Sequence, residues 1–287
     1  MKKFIYNTLI FTLILSFVPT MGYSTEASSD THTITFNANG GINAPAPQTI
    51  QNREFTTLSL QMPTKEGYAF YGWRRHNSGS GVSFYPAGVA NNHFGRGEDF
   101  TLHAEWVRET DQNNFTFSYN QITKEATLTG YLGSWPYTNP WGIVAIPKNV
   151  TYNAQTYSVT AIGDFAFDGI APQEIIIPNS VRTIGNRAFA DSAMNHVVIP
   201  DSVITIGNGA FADNHIENLI IPDSIKHIGD FAFYWNRLDS GSGVYMSKSI
   251  MYIGKEAFEQ VNGASTWLVS PLNPNAVVES GNYFEFR

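Results

Sequence analysis

The sequence predicts a mainly β protein in two parts, a small N-terminal module of short strands followed by a solenoid of stacked coils. Two observations predict this. A six-residue pattern recurs along the C-terminal half, and the N-terminal part alternates apolar and polar residues between turn signals such as Asn39-Gly40-Gly41. The composition agrees, because 24 Gly, 14 Pro and 14% aromatic residues in 287 favour many short strands and tight turns.

The repeated pattern is Ile-Gly-x-x-Ala-Phe. It begins at Ile162, Ile184, Ile206, Ile228 and Ile253, with steps of 22, 22, 22 and 25 residues. An apolar triplet followed by Pro runs in phase with it, at 175–178, 197–200 and 219–222. A unit this short cannot bury a face alone, so we expect each copy to be one coil resting on its neighbours through parallel strands. Ile and Ala-Phe should then stack inside, and Gly should permit a turn or a close backbone approach.

These columns resemble the BspA-type leucine-rich repeat, a family of bacterial and protist surface proteins. The resemblance extends upstream, where 149–160 is similar to the hairpin-bearing first repeat of that family. Alternation from Phe115 to Tyr131 predicts a hairpin that caps the open end of the solenoid.

The N-terminal part resembles a second family. The motifs are Phe36-x-Ala38-Asn39-Gly40-Gly41, a segment from Pro63 to Trp73 that reads Pro-Thr-Lys-Glu-Gly-Tyr-Ala-Phe-Tyr-Gly-Trp, and a closing strand that ends at Trp106. They are similar to the internalin-type B repeat, also called the Listeria–Bacteroides repeat, which implies a small β-grasp-like module. The stretch 74–99 is longer than this family usually shows.

Together these patterns give the predicted organisation. Lys2 and Lys3 precede an apolar stretch from Leu9 to Val18, with small residues at Gly22 and Ser24, as in a cleaved signal peptide. The predicted parts are a signal peptide at 1–24, the B-repeat module at 31–107, a linker at 108–114, an N-terminal cap at 115–147, and repeats with a C-terminal cap at 148–287. We expect no membrane span after cleavage, and a secreted, extracellular or loosely surface-associated protein.

Charge and motifs argue against several classes of function. Lys and Arg number 17 against 24 Asp and Glu, a net charge of -7 without a basic stripe, so nucleic-acid binding is not expected. The absence of cysteine excludes disulfides and thiolate chemistry. The histidines fall at different repeat columns, and no nucleophile elbow, zinc-protease or phosphate-loop motif occurs. We therefore expect no enzyme, metal or cofactor, although sequence alone leaves a hidden carboxylate pair open.

Candidate binding residues follow from strand alternation. The middle member of each apolar triplet should point outward beside a polar column two residues earlier. This predicts a ligand-binding ridge made of Glu174, Ile176, His196, Val198, Asn218, Ile220 and Tyr245. The alternative is that these triplets are buried on both sides as scaffold. Exposed aromatics are the second set of candidates, comprising Trp135, Tyr137 and Trp141 in a Pro-rich loop, and Trp235 after the fourth Ala-Phe.

These features predict a noncatalytic recognition protein at the cell exterior that binds an extracellular protein or glycan. Resemblance to BspA-type proteins implies a bacterial adhesin for host or neighbouring-cell proteins. Two alternatives stay open. One is a secreted carbohydrate-binding or carbohydrate-active protein, and the other is a purely structural component of a matrix or envelope.

Overall fold

The computed structural model describes residues 31–51, 56–59, 61–77, 81–85, 90–91, 98–133, 142–172, 174–238, 243–260, 265–268 and 272–286. The predicted signal peptide lies outside the described residues. Within these ranges no helix is long and apolar enough to cross a membrane. Thr31–Arg287 is one compact unit.

The N-terminal module is built on a five-stranded sheet with the order β2-β1-β7-β4-β5. Its core forms because Ile34 and Phe36 alternate with polar residues along the first strand and both face inward. Trp73 is fully buried, and its ring lies 4.9 Å from the rings of Phe36 and Phe70. The strands are β1 (Thr31–Asn37), β2 (Gln48–Gln51), β4 (Tyr68–Asn77), β5 (Gly81–Tyr85) and β7 (Phe100–Arg108), with a separate pair β3 (Thr56–Thr57) and β6 (Ala90–Asn91).

Two hairpins begin the solenoid. A 3₁₀ turn, η1 (Gln112–Asn114), leads into β8 (Phe115–Asn120) and β9 (Glu125–Tyr131), which pair antiparallel as predicted. A second antiparallel hairpin is formed by β11 (Asn149–Tyr152) and β12 (Gln155–Ile162). Because β9 pairs parallel with β12, the first hairpin continues the ladder and covers the end of the stack.

The coils that follow contribute two ladders of short parallel strands. The first ladder has two pieces, β10-β13 and β16-β18-β20-β22, because residues 196–198 are not part of a strand. The second ladder runs from β12 through β14, β15, β17 and β19 to β21. Strands of the first ladder are β10 (Ile143–Ala145), β13 (Glu174–Ile176), β16 (Asn218–Ile220), β18 (Gly243–Tyr245), β20 (Thr266–Leu268) and β22 (Phe284–Phe286). Strands of the second are β14 (Thr183–Ile184), β15 (Thr205–Ile206), β17 (His227–Ile228), β19 (Tyr252–Ile253) and β21 (Val277–Val278).

A file of phenylalanine rings runs through the solenoid core. Each ring is fully buried, and successive centroids are 5.2 Å apart in near-parallel stacks, for Phe167, Phe189, Phe211, Phe233 and Phe258. The spacing is close to the separation of neighbouring strands, so each coil adds one ring to the file. The predicted mainly β solenoid with Ile and Ala-Phe inside is confirmed.

The glycine of the repeat allows the close backbone approach that the sequence predicts. A Cβ on Gly207 would lie 2.7 Å from the amide nitrogen of Asn186 in the preceding coil. The same contact distance is 2.6 Å at Gly185 and 2.5 Å at Gly254. Any side chain here would push the coils apart.

A buried polar column was missed by the sequence analysis. The Asn214 side-chain amide donates to the carbonyls of Phe189 and Phe211, and its Oδ1 accepts from the Met194 N–H. Asn236 makes the same set of bonds one coil later. The signal was available, since the two asparagines are 22 residues apart, but the aligned residue one coil earlier is Ser192. Gln260, which accepts from the Leu238 N–H in the last copy, is one position out of phase with the asparagines.

Candidate binding surfaces

The predicted ridge lies on the first ladder of strands. Within a triplet the outer members Ile175 and Ile177 are buried and the middle member Ile176 is half-buried. The register places Ile220 beside Tyr245 in the next coil, so the outward side chains form one column. The alternation required for the ridge is therefore present. A ligand for these residues stays a prediction.

The N-terminal half of the ridge contacts the B-repeat module. Val198 packs against the module core, which includes Met62 and Phe70. A cleft of about 50 Å³ and a second of about 20 Å³ lie along this contact, and Ile176 lines both. Ile176 and Val198 thus already have a protein surface against them. The sequence does not predict this contact, because neither part carries a motif that identifies the other as its neighbour.

Three polar groups at the same contact have shifted pKa values. Glu174 forms a hydrogen bond with the Tyr71 hydroxyl; burial raises the pKa of Glu174, and this hydrogen bond opposes the rise. Burial and the nearby carboxylate raise the pKa of Tyr71 to about 12. Nδ1 of His196 lies 3.8 Å from Oε1 of Glu174, and burial lowers the pKa of the histidine. The contact therefore favours neutral groups.

The segment predicted as a linker is hydrogen-bonded to the solenoid. Thr110 donates its N–H to the Ala145 carbonyl at 2.9 Å, and its hydroxyl accepts from the Ala145 N–H at 3.0 Å. Glu109 accepts from the Lys148 N–H at 3.2 Å. Burial raises the pKa of Glu109, against the lowering effect of Lys148. These bonds fix where the last strand of the module meets the solenoid.

The C-terminal half of the ridge consists of Asn218, Ile220 and Tyr245. Asn218 is exposed, whereas Ile220 and Tyr245 are half-buried. Burial raises the pKa of the Tyr245 hydroxyl. Here the column of Ile220 and Tyr245 runs beside the polar Asn218. The N-terminal half of the ridge, where the module packs, has the same arrangement.

Among the predicted aromatic binding residues, Trp235 lies in the part of the chain that the structure describes, and it is 48% exposed. Its ring stacks on Tyr234 with centroids 5.4 Å apart and planes 13° apart. Tyr234 meets the ring of Phe231 edge-on at 5.6 Å. Trp135, Tyr137 and Trp141 lie outside the described residues. The structure thus brings together an aromatic patch made of Phe231, Tyr234 and Trp235, and Phe231 is the member that the sequence did not predict.

The clefts along the module contact hold a few water molecules at most, since a site for a drug-sized molecule measures about 300 to 1,000 Å³. Among the described residues, no group of three or more His, Asp or Glu side chains is placed to hold a metal ion.

Family comparisons agree with this architecture. A model of the BspA type leucine-rich repeat region matches residues 156–270 with six copies, and a model of the Listeria–Bacteroides repeat domain matches residues 32–105. The chain is a BspA-type leucine-rich repeat protein with an N-terminal Listeria–Bacteroides repeat. Both predicted resemblances are confirmed. No curated protein matches the chain.

Solved structures similar to this BspA-type protein come from several bacteria. A leucine-rich repeat protein from Bacteroides capillosus is 30% identical, over 47% of this chain and 94% of that one, with a TM-score of 0.39. A leucine rich cell surface protein from Faecalibacterium prausnitzii is 23% identical over 60% and 42%, with a TM-score of 0.43. A leucine-rich repeat protein from T. pallidum is 20% identical over 62% and 86%, with a TM-score of 0.42.

Family membership has coarse functional consequences. Leucine-rich repeat proteins of this kind are typically noncatalytic, and their repeats generally mediate protein binding. The BspA-type chain is accordingly a repeat protein of a surface-protein family.

Proposed function

We propose that this protein is exported and binds a partner protein outside the cell through the C-terminal half of the ridge. The partner class is a host or neighbouring-cell protein, which makes the chain an adhesin. The predicted signal sequence and the family's occurrence among surface and secreted proteins support export.

One observation carries the proposal. The N-terminal half of the ridge already holds a protein surface, because Val198 packs on the module core and Glu174 bonds to Tyr71. The C-terminal half continues the same pattern in the next two coils with Asn218, Ile220 and Tyr245. A surface that binds the protein's own module by apolar contact and one polar pair is suited to bind a second protein in the same way.

The C-terminal half of the ridge has the features of a small binding hot spot. Tyr245 presents a large ring with a polar end, a side chain enriched at the centres of interfaces. Ile220 lies directly beside it in the register and adds apolar area. A partner with an apolar side chain at its centre and a hydrogen-bonding rim fits this pair.

The test is a solid-phase binding assay of the purified protein against a panel of host extracellular-matrix proteins and glycans. The variant carries Ile220→Ser and Tyr245→Ser. We expect the wild type to bind at least one matrix protein and the variant to bind it about tenfold or more weakly, because interface anchors of this type dominate affinity.

Ile204→Ser is the matched control, since Ile204 is 44% exposed and precedes a strand of the second ladder. It should bind as the wild type does, and all variants should keep their melting temperatures. Unchanged binding by the ridge variant would contradict the proposal, as would capture of glycans alone.

A further inference from the structure

The aromatic patch of Phe231, Tyr234 and Trp235 reaches solvent through the exposed Phe231 and Trp235 and the half-buried Tyr234, and it is not needed to close its coil. At the position of Tyr234 the two preceding coils have Ala190 and Ala212, both buried, so alanine completes the turn. At the position of Trp235 the preceding coils have Gly169, Asp191 and Asp213. The large rings therefore add surface that the fold does not require.

The backbone of the patch supports the same interpretation. Trp235 has φ 51° and Phe231 has φ 58°, both in the left-handed region that glycine adopts without steric cost. The residues aligned with Trp235 share this conformation, which Gly, Asn and Asp tolerate better than a bulky side chain. Stability alone would favour a small residue at both places.

Three carboxylates lie close enough to Tyr234 to affect its hydroxyl. Besides burial, the charges of Glu259, Glu256 and Asp213 raise the pKa of the Tyr234 hydroxyl. Burial and the charge of Asp191 raise the pKa of Asp213, whereas Arg187 lowers it, so a further carboxylate and one cation lie nearby. A site of this kind attracts cations and repels anions.

A cation of the chain itself already lies near the patch. Nζ of Lys255 is 6.0 Å from the centre of the Phe231 ring and 3.1 Å from Oε1 of Glu256. One ammonium group therefore lies near both an aromatic ring and a carboxylate. The Trp235 ring is the larger face and the better cation–π partner.

We propose that the aromatic patch binds an arginine- or lysine-bearing segment of a partner protein, with the cationic group stacked on Trp235 and paired with the surrounding carboxylates. An arginine fits best, because its planar guanidinium stacks on a ring while its N–H groups remain free to donate to carboxylates. This site is separate from the ridge and does not rest on the function proposed for it.

The test uses the purified full chain and two synthetic fluorescent peptides. One alternates Arg and Gly, and the other has neutral citrulline in place of every Arg, which keeps the shape and removes the charge. Fluorescence anisotropy should show binding of the Arg peptide, about tenfold weaker binding of the citrulline peptide, and weakening of the Arg complex as salt is raised.

The decisive variant carries Tyr234→Ala and Trp235→Gly, which restores side chains found at these positions in other coils and leaves the charge unchanged. We expect it to bind the Arg peptide about tenfold more weakly than the wild type without a fall in melting temperature. Phe165→Gly is the matched control, because Phe165 is 57% exposed, has φ 60° and occupies the place of Phe231 three coils earlier. It should bind as the wild type does.

Three results would overturn the inference. They are equal binding of the two peptides, wild-type affinity in the double variant, and patch-dependent binding of a neutral oligosaccharide in place of the Arg peptide. The ridge variant with Ile220→Ser and Tyr245→Ser should retain peptide binding. Loss of binding in that variant would instead place the cation site on the ridge.

Discussion

At the scale of single residues, two glycines of the same coil do different work. A Cβ at Gly207 would lie 2.7 Å from backbone atoms of the preceding coil, which cannot move without shifting the whole stack. Gly209 has φ 58°, and the nearest atom to a Cβ there is the flexible Cγ of Arg187 at 3.3 Å. Gly207 is needed because a side chain would clash with the preceding coil, and Gly209 is needed because its backbone is left-handed.

The first prediction compares alanine at these two places. We expect Gly207→Ala to lower the free energy of unfolding by about 3 kcal/mol or more, because coils must separate. Gly209→Ala should cost about 1 kcal/mol, the usual cost of an L residue in the left-handed region. Chemical denaturation followed by circular dichroism measures both. Equal losses would show that close coil contact is not what selects glycine after Ile.

Single residues also show how far the sequence could predict the core. Ile, Gly and Ala-Phe recur with the same identity in every copy, so their roles could be read from spacing alone. The buried column of Asn214 and Asn236 was missed because its other members differ, and because an asparagine does not reveal burial until its bonding partners are known.

At the scale of elements, the stacked phenylalanines should carry much of the stability of the solenoid. Phe211 is fully buried between the rings of Phe189 and Phe233. We expect Phe211→Ala to lower the free energy of unfolding by about 3 to 5 kcal/mol, since it leaves a cavity between two coils.

The exposed Phe165 gives the contrast, because Phe165→Ala removes the same side chain from a solvent-facing position. The free energy of unfolding of Phe165→Ala should stay within about 0.5 kcal/mol of the wild-type value. Denaturant melts of the two variants beside the wild type measure this difference. A small loss for Phe211→Ala would mean that the ring file is not a structural element.

The contact between β4 of the module and β13 of the solenoid should depend on pH through Glu174. Its pKa is raised by burial, so the folded state favours the neutral acid. The stabilisation this gives is complete below the ordinary pKa of about 4.5 and is lost as pH rises through the raised value. His196 has the opposite sign, because its lowered pKa costs stability as pH falls.

Glu174→Gln isolates the carboxylate, since Gln accepts the Tyr71 hydroxyl bond without a charge and His196 is common to both proteins. We expect the variant to melt above the wild type at pH 7 and the two melting temperatures to converge below about pH 4. Differential scanning calorimetry from about pH 3 to about pH 8 measures the difference between the two melting temperatures. A gap that is constant with pH would exclude ionisation of Glu174 as its cause.

At the scale of the whole molecule, the sequence predicted two parts and their internal architecture but not the contact between them. The periodic pattern predicts which residues occupy equivalent positions in each coil, and the motifs of the N-terminal part predict the fold of the module alone. Val198 packs against the module core, whose members lie about a hundred or more positions earlier in the chain, and no repeated pattern marks Val198 or the core residues as contact residues. The outward direction of the triplet's middle member was correctly predicted, whereas what lies against it required the three-dimensional structure.

One ridge is shared between the protein's own module and the proposed partner, and thiol labelling tests this division most directly. The chain lacks cysteine, so Val198→Cys and Ile220→Cys each carry a single reactive group. Maleimide labelling followed by mass spectrometry should be slow at position 198, which the module covers, and several-fold faster at position 220. A bound matrix protein should slow only the second reaction. Equal labelling rates at the two positions, or a partner that protects neither, would contradict the account.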